Sequence, residues 1–183
     1  MRELRTGERV LALVQGDITT IPADAIVNAA NDALVGGGGV DGAIHRAGGP
    51  AIMADLRRRY GPNRHCPTGS AVITVAGDLP ARWVIHAVGP IWRGGGEGEA
   101  ALLDSAYRTA LRLAAEAGAR SMTLPSISTG IYAYPLEPAA RIALEAARDH
   151  LAGETTIERA TFVLYSGDAL AVFEEALEEL DFS

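Results

Sequence analysis

The order of apolar and polar positions divides the chain into short and long segments that alternate. Short apolar or β-branched runs, typical of buried strands, occur at residues 10–15, 25–29, 70–76, 83–88, 121–124 and 160–165. Longer stretches with helical periodicity occur at residues 41–47, 50–60, 97–117, 136–151 and 169–180. Strands that alternate with helices long enough to cover both faces of a sheet predict a three-layer α/β/α sandwich.

One apolar stripe illustrates how the longest predicted helix would face the sheet. Its members in the segment 97–117 are Leu102, Ala106, Leu111, Ala114 and Ala115. Gly118 then ends the helix. No linker, repeat or low-complexity tract interrupts the chain apart from two glycine runs, so we expect residues 1–183 to form a single domain.

The charge composition narrows the possible functions. The net charge of −7 disfavours a general nucleic-acid binder, which needs a basic face for the phosphate backbone. All sixteen basic residues are arginine, which excludes a lysine-containing phosphate loop and a lysine nucleophile. No apolar run approaches the roughly 20 residues that span a bilayer, and residues 1–10 lack the apolar core of a secretory signal. We therefore expect a cytoplasmic protein without a membrane partner.

Four successive glycines, residues 36–39, lie between a predicted strand and a predicted helix. A surface linker would explain them, but their place between two core elements favours a loop whose N–H groups bind an anion beside a helix N-terminus. Gly37, Gly39 and Gly42 also match the dinucleotide-binding fingerprint. That motif requires an acidic residue about 20 positions further on, and residues 56–77 contain none, so a nicotinamide-dependent dehydrogenase is disfavoured.

A second loop, SISTGIY at residues 126–132, follows the predicted strand 121–124. Loops that leave the carboxyl ends of strands in an open α/β sheet converge on the ligand crevice. Hydroxyl and N–H groups here suit a second phosphate, with Tyr132 covering a sugar or base. An ordinary turn rich in turn-forming residues explains the composition equally well.

Taken together, the motifs of this chain resemble the macrodomain family, in particular its MacroD-type branch of ADP-ribosyl ester hydrolases. The matching segments are GDIT at 16–19, NAAN at 28–31, GGGGVDGAIH at 36–45, CPTG at 66–69, VIHAVGP at 84–90 and SISTGIY at 126–132. The likeness extends from about residue 10 to residue 173. It implies the macrodomain fold, a three-layer α/β/α sandwich with a central mixed sheet, and ADP-ribose as the ligand without a separate cofactor.

The resemblance also implies roles for individual residues. Asp17 would accept a hydrogen bond from the adenine amino group, Ile18 would supply a backbone donor nearby, and Tyr165 would stack on adenine. Asn31 would hold the distal ribose, and Asp41 would lie beside its ester-bearing carbon. The two loops would hold the diphosphate through the N–H groups of Gly38, Gly39, Val40, Ser128, Thr129, Gly130, Ile131 and Tyr132.

Simpler structural roles compete with these for the polar candidates. Asp41 can orient a water or act as a general base, but it can also cap the helix that it opens. Asn31 can fix a ribose hydroxyl or close an Asx-turn. His45 lies one helical turn after Asp41 and can pair with it, while His86 is expected to be structural, as is Cys66 in its loop. The spacing of histidines and cysteines predicts no metal site.

The leading hypothesis is a metal-independent hydrolase that releases ADP-ribose from O-acetyl-ADP-ribose or from mono-ADP-ribosylated acidic side chains of proteins. The alternative is a module that binds ADP-ribose or poly(ADP-ribose) without turnover. Asn31 and Asp41 distinguish the two, since a pure binding module needs the phosphate loops but not both polar groups. RNA binding is a weaker third hypothesis, disfavoured by the acidic charge.

Overall fold

A computed structural model describes residues 2–181 and contains seven strands and five α-helices within that range. The strands are β1 (Arg2–Thr6), β2 (Arg9–Gln15), β3 (Ala25–Ala29), β4 (Ala71–Val75), β5 (Trp83–Ala87), β6 (Ser121–Leu124) and β7 (Arg159–Leu164). The helices are α1 (Gly39–Gly48), α2 (Pro50–Tyr60), α3 (Glu99–Glu116), α4 (Leu136–Ala152) and α5 (Gly167–Asp181). A short 3-10 helix, Ile18–Thr20, follows β2.

The strands form one mixed sheet in the order β1-β2-β7-β6-β3-β5-β4. The five inner strands are parallel to one another, whereas β1 pairs antiparallel with β2 and β4 antiparallel with β5. The carboxyl ends of the inner strands therefore lie along one edge of the sheet. In open α/β sheets this edge is where ligands bind.

The five inner strands are largely buried on both faces, so helices cover each face of the sheet. On one face Tyr107 of α3 and Phe173 of α5 pack against Phe162 of β7, in a core that also contains Leu103 and that α4 completes. On the other face α1 and α2 pack against β3 and β5 in a smaller core. The predicted three-layer sandwich with a mixed sheet is confirmed.

Each predicted strand and helix is present, with bounds that differ by at most two residues. The sequence missed β1, whose intermediate and exposed residues alternate in a pattern that an edge strand shares with a loop. In α3 the predicted apolar positions Ala106, Leu111 and Ala114 are fully buried, whereas Leu102 and Ala115 are only partly buried. None of the helices in residues 2–181 is long and apolar enough to span a membrane.

Candidate active site

A cleft of about 940 Å³ opens where β2, β3, β6 and β7 end. It brings together all thirteen predicted site residues, which lie up to 148 positions apart along the chain, from 17 to 165. They are Asp17, Ile18, Asn31, Gly38, Gly39, Val40, Asp41, Ser128, Thr129, Gly130, Ile131, Tyr132 and Tyr165. Their individual roles toward a ligand stay predictions.

The glycine loop forms the N-terminal end of α1. Gly38 occupies the N-cap position, and no side chain caps the helix. Backbone N–H groups of residues 36–41 donate to no acceptor among the described residues. A helix N-terminus with free N–H groups carries a partial positive charge, so this end of α1 attracts an anion.

The glycines of this loop are required for different reasons. A Cβ on Gly42 would lie 2.5 Å from the carbonyl oxygen of Gly37, so packing within the protein itself excludes a side chain there. A Cβ on Gly38 or Gly39 would meet nothing within 4 Å, although Gly39 has a positive φ of 57°. Neither packing nor a positive φ requires a glycine at Gly38, so close approach of a ligand is the explanation for that position.

The second loop presents a matching row of donors on the opposite wall. The N–H groups of residues 128–132 donate to no acceptor in the described part of the chain. Ser128 adopts a positive φ of 68°, and its carbonyl oxygen accepts a 2.9 Å hydrogen bond from the N–H of Tyr134. Successive N–H groups in such a turn form a concave anion site. The two loops thus flank the cleft with backbone donors.

The glycine-rich turn at residues 93–98 is exposed and does not line the cleft. The buried carboxylate of Glu99 accepts hydrogen bonds from the N–H groups of Arg93, Gly95 and Glu97, at 2.6 to 3.0 Å. Trp92, which precedes the turn, donates its N–H to the carbonyl oxygen of Tyr132 at 2.8 Å. Its ring also packs against Tyr134, with 4.7 Å between ring centroids. This turn therefore supports the second loop from behind, a role that the sequence did not reveal.

At one end of the cleft lie the residues predicted to bind adenine. Oδ1 of Asp17 accepts hydrogen bonds from the N–H and the hydroxyl of Thr19, at 2.9 and 2.7 Å. These two bonds hold the pKa of Asp17 below its ordinary value, so its carboxylate is ionised and able to accept a further donor. Tyr165 is 87% exposed, and its ring is free to stack on a planar group.

Asn31 connects the end of β3 to the glycine loop. Its Nδ2 donates to the carbonyl oxygen of Gly36 at 2.9 Å, and its Oδ1 accepts from the N–H of Val35 at 3.2 Å. In an Asx-turn the side chain bonds the backbone two residues further on. Here the bonds reach four and five residues further on, so the Asx-turn alternative is wrong and the side chain bridges a longer loop. One N–H of the amide and one lone pair of Oδ1 are still available to a ligand.

Asp41 lies in the first turn of α1, three residues after the N-cap, and is only 5% exposed. The capping alternative is wrong because Gly38 holds that position and Asp41 caps nothing. Its Oδ1 accepts a 2.7 Å hydrogen bond from Nδ2 of Asn28 and lies 3.3 Å from Nε2 of His45. Its Oδ2 has no hydrogen-bond donor among residues 2–181 and lies beside Gly37, which lines the cleft. The predicted pairing of Asp41 with His45 is confirmed.

Several residues of the cleft were not singled out in the sequence. Arg46 lines it together with Gly39 and Ala43, a spacing of four and three residues that places all three on one face of α1. That helical spacing was the signal that could have identified Arg46. Gly89 lines it too, and a Cβ there would lie 2.2 Å from the hydroxyl of Ser128. No group of three or more metal-ligating side chains occurs among the residues that the structure describes.

The open α/β sheet carries two rows of free backbone donors at its carboxyl edge, and an exposed aromatic ring and a carboxylate lie at one end of the cleft. These features define a protein that binds a nucleoside diphosphate. Residues 27–143 match the macro domain family, and the chain belongs to that family.

Relatives and solved structures match nearly the whole chain. The O-acetyl-ADP-ribose deacetylase of Enterobacter cloacae subsp. cloacae is 50% identical over 167 residues, which cover 91% of this chain and 93% of the relative. A macro domain-containing protein of Cupriavidus necator is 54% identical over 91% of this chain and 96% of its own length. A mutant Oceanobacillus iheyensis macrodomain with ADPR has a TM-score of 0.93 and 38% identity, covering 100% of this chain and 99% of that chain. The Trypanosoma brucei macrodomain in complex with ADP-ribose has a TM-score of 0.81 and 40% identity, covering 91% of this chain and 68% of that chain.

Proposed function

We propose that this protein is a hydrolase that binds ADP-ribose and cleaves esters on its distal ribose. The observation that carries the proposal is the state of Asp41, a buried carboxylate at the cleft. One of its oxygens accepts a hydrogen bond from Asn28 and lies 3.3 Å from His45, and the other is unengaged. Relatives named O-acetyl-ADP-ribose deacetylase, at 50% identity over about 90% of this chain, support the same reaction. The substrates proposed are O-acetyl-ADP-ribose and mono-ADP-ribosylated aspartate or glutamate side chains of proteins.

The cleft accommodates the ligand in one direction. Adenine lies against Tyr165 and Asp17, at the end where β2 and β7 finish. The diphosphate then lies between the N-terminus of α1 and the loop 126–132, where backbone donors on both walls bind its oxygens without any lysine. In the proposed binding mode, the distal ribose lies beside Asn31 and Asp41.

Hydrolysis then proceeds through a water held by Oδ2 of Asp41. The water oxygen forms a bond to the ester carbonyl carbon, and the bond from that carbon to the ribose oxygen breaks. One water proton passes by way of Asp41 or a substrate phosphate oxygen to the departing ribose oxygen, so acetate and ADP-ribose are the products. Loop N–H groups that do not bind the diphosphate stabilise the negative charge that develops on the carbonyl oxygen. We propose that no metal or cofactor takes part.

A binding module without turnover is the second candidate, and the position of Asn31 favours it. Both polar groups of that side chain already hydrogen-bond to the glycine loop, so Asn31 has a purely structural use that needs no substrate. Such a module would bind ADP-ribose through the same loops. The cytoplasmic location expected from the sequence stays a prediction for both candidates.

The experiment compares wild type with Asp41→Asn. The asparagine keeps the shape of the side chain and can still accept the hydrogen bond of Asn28, but it lacks the charge that orients a water. We expect both proteins to bind ADP-ribose in calorimetry, and only wild type to release acetate from O-acetyl-ADP-ribose, with a loss of about 100-fold or more in the variant.

Three results would contradict the proposal in different ways. Binding without turnover of acetyl or aspartyl and glutamyl esters by wild type would make the protein a binding module. Loss of wild-type turnover in the presence of a metal chelator would overturn metal independence. Absence of ADP-ribose binding by wild type would overturn both candidate functions.

A further inference from the structure

Three polar side chains lie beneath the floor of the cleft and are buried within the sheet. Asn28 on β3 and His86 on β5 are directly opposite each other, and Thr74 lies on the neighbouring strand β4. All three are at most 1% exposed. Buried polar side chains cost stability that apolar ones would not, so this cluster calls for a reason other than packing.

The hydrogen bonds of this cluster run in one determined direction. Thr74 donates its only hydroxyl proton to the carbonyl oxygen of Val75 at 2.9 Å, so its oxygen accepts from Nε2 of His86, 2.9 Å away. Burial lowers the pKa of His86 to about 3, more than the neighbouring carboxylates raise it, and the neutral ring carries one proton. Since that proton is on Nε2, Nδ1 accepts from Nδ2 of Asn28 at 3.1 Å.

The cluster ends on the carboxylate of Asp41. Asn28 has two amide protons, and the one that does not reach His86 is donated to Oδ1 of Asp41 at 2.7 Å. Its own Oδ1 is buried without a hydrogen-bond partner, which is unfavourable for folding. The flipped amide would be worse, because it would direct that oxygen at the carboxylate. An imidazole acceptor on one side and a carboxylate on the other thus fix the orientation of the amide.

We propose that Asn28 and His86 are positioning residues for the reaction: His86 fixes the amide of Asn28, and Asn28 holds Oδ1 of Asp41 so that Oδ2 faces the cleft. The inference rests on the proposed function, since both residues act through Asp41 and neither lines the cleft. Their contribution therefore belongs to the rate of the chemical step and not to the affinity for ADP-ribose.

The test uses Asn28→Leu, which removes both donors and keeps the number of side-chain non-hydrogen atoms, and a matched pair at position 86. His86→Asn places a carbonyl oxygen near the position of Nδ1, where it can accept from Asn28, whereas His86→Leu removes the acceptor. We expect Asn28→Leu and His86→Leu each to lower kcat for O-acetyl-ADP-ribose by about tenfold or more. KM and the calorimetric affinity for ADP-ribose should stay within about threefold of wild type, as should kcat of His86→Asn.

A double variant separates positioning from a general structural effect. Because the two residues act in series, Asn28→Leu combined with His86→Leu should be no slower than Asn28→Leu alone. Unchanged kcat in Asn28→Leu, or a parallel loss of ADP-ribose affinity in all three single variants, would overturn the inference while wild-type turnover still supports the proposed function. Absence of turnover by wild type would instead overturn the proposed function, and this inference with it.

Discussion

Some residues of the cleft are required by packing within the protein, and others are explained by contact with the ligand. Gly42 is determined by the protein, since the carbonyl oxygen of Gly37 occupies the place of a Cβ. Tyr165 represents the opposite case, a large aromatic side chain that is 87% exposed at the rim and packs little in the free protein. We therefore expect replacement of Gly42 to lower the stability of the protein, and replacement of Tyr165 to lower its affinity for the ligand without changing its stability.

Gly42→Ala should destabilise the protein by about 1–3 kcal/mol, because the overlap with Gly37 forces the backbone of α1 or of the loop to move. The shift also displaces the N–H groups of the first loop, so the affinity for ADP-ribose should fall. Denaturant unfolding and calorimetry measure the two effects. Gly96→Ala is the control, since its Cβ would meet nothing within 4 Å, and equal effects at both positions would contradict the packing argument.

Tyr165→Ala should leave the free energy of unfolding nearly unchanged and weaken ADP-ribose binding by about tenfold, since stacking of a base on an aromatic ring contributes ~1–3 kcal/mol. Calorimetry with ADP-ribose and thermal unfolding without it give the two quantities. Ile91→Ala serves as the comparison, because Ile91 is 47% exposed but lies outside the cleft. An unchanged affinity in Tyr165→Ala would exclude stacking by this residue.

At the scale of the elements, the turn before α3 and the second loop form one supporting unit. Burial raises the pKa of Glu99, but hydrogen bonds from the N–H groups of Arg93, Gly95 and Glu97 outweigh that effect and hold the pKa below its usual value. The carboxylate thus fixes the turn that begins after Trp92, and Trp92 contacts the loop through Tyr132 and Tyr134. Ionisation of Glu99 therefore stabilises the folded state.

Glu99→Gln should lower the melting temperature at pH 7, because the amide accepts hydrogen bonds more weakly than the carboxylate. The contribution of Glu99 is fully present above the unfolded pKa of about 4.3 and is lost as the pH falls through the lower folded pKa. The difference between variant and wild type should therefore shrink in thermal scans below pH 4. Glu116→Gln, at an exposed pair with Arg112, should change little at any pH. A difference for Glu99→Gln that is independent of pH would contradict the assignment.

Several elements could be predicted from sequence because their signals are local. The bounds of the strand 121–124 and of the helix 50–60 were predicted without error. A short apolar run marks the strand, and a proline at the start and a glycine after the end mark the helix. The edge strand β1 was not predicted, because its pairing depends on what lies next to it in the fold. Half-buried strands and loops share the same local composition.

At the scale of the whole molecule, the net charge of the protein and the donors of the cleft together determine which anion binds. The protein carries a net charge of −7, and the cleft offers backbone donors and Arg46 in place of a basic surface. A compact diphosphate fits this arrangement, whereas an extended polyanion would meet the acidic remainder of the surface. The protein should therefore bind a small diphosphate ligand more strongly than it binds RNA.

ADP-ribose at 100 times its dissociation constant should stabilise the folded state by about 2.7 kcal/mol, because it binds only the folded protein. For a domain of this size the melting temperature should rise by about 5–10 °C. Thermal scans with ADP-ribose, with adenosine and with single-stranded RNA check this, and only ADP-ribose should give the full shift. An equal shift with RNA, abolished by salt, would favour the RNA-binding hypothesis instead.

The sequence by itself determined the succession of strands and helices and the two loops that carry the predicted phosphate donors, since periodicity and turn composition are properties of neighbouring residues. Only the tertiary structure decided which side chains meet. Asn28 and His86 are 58 positions apart, and they become partners because β3 pairs in register with β5 beneath Asp41. Strand order and register depend on packing between distant segments, so no local sequence pattern could predict the buried hydrogen bonds that connect His86 and Asn28 to Asp41.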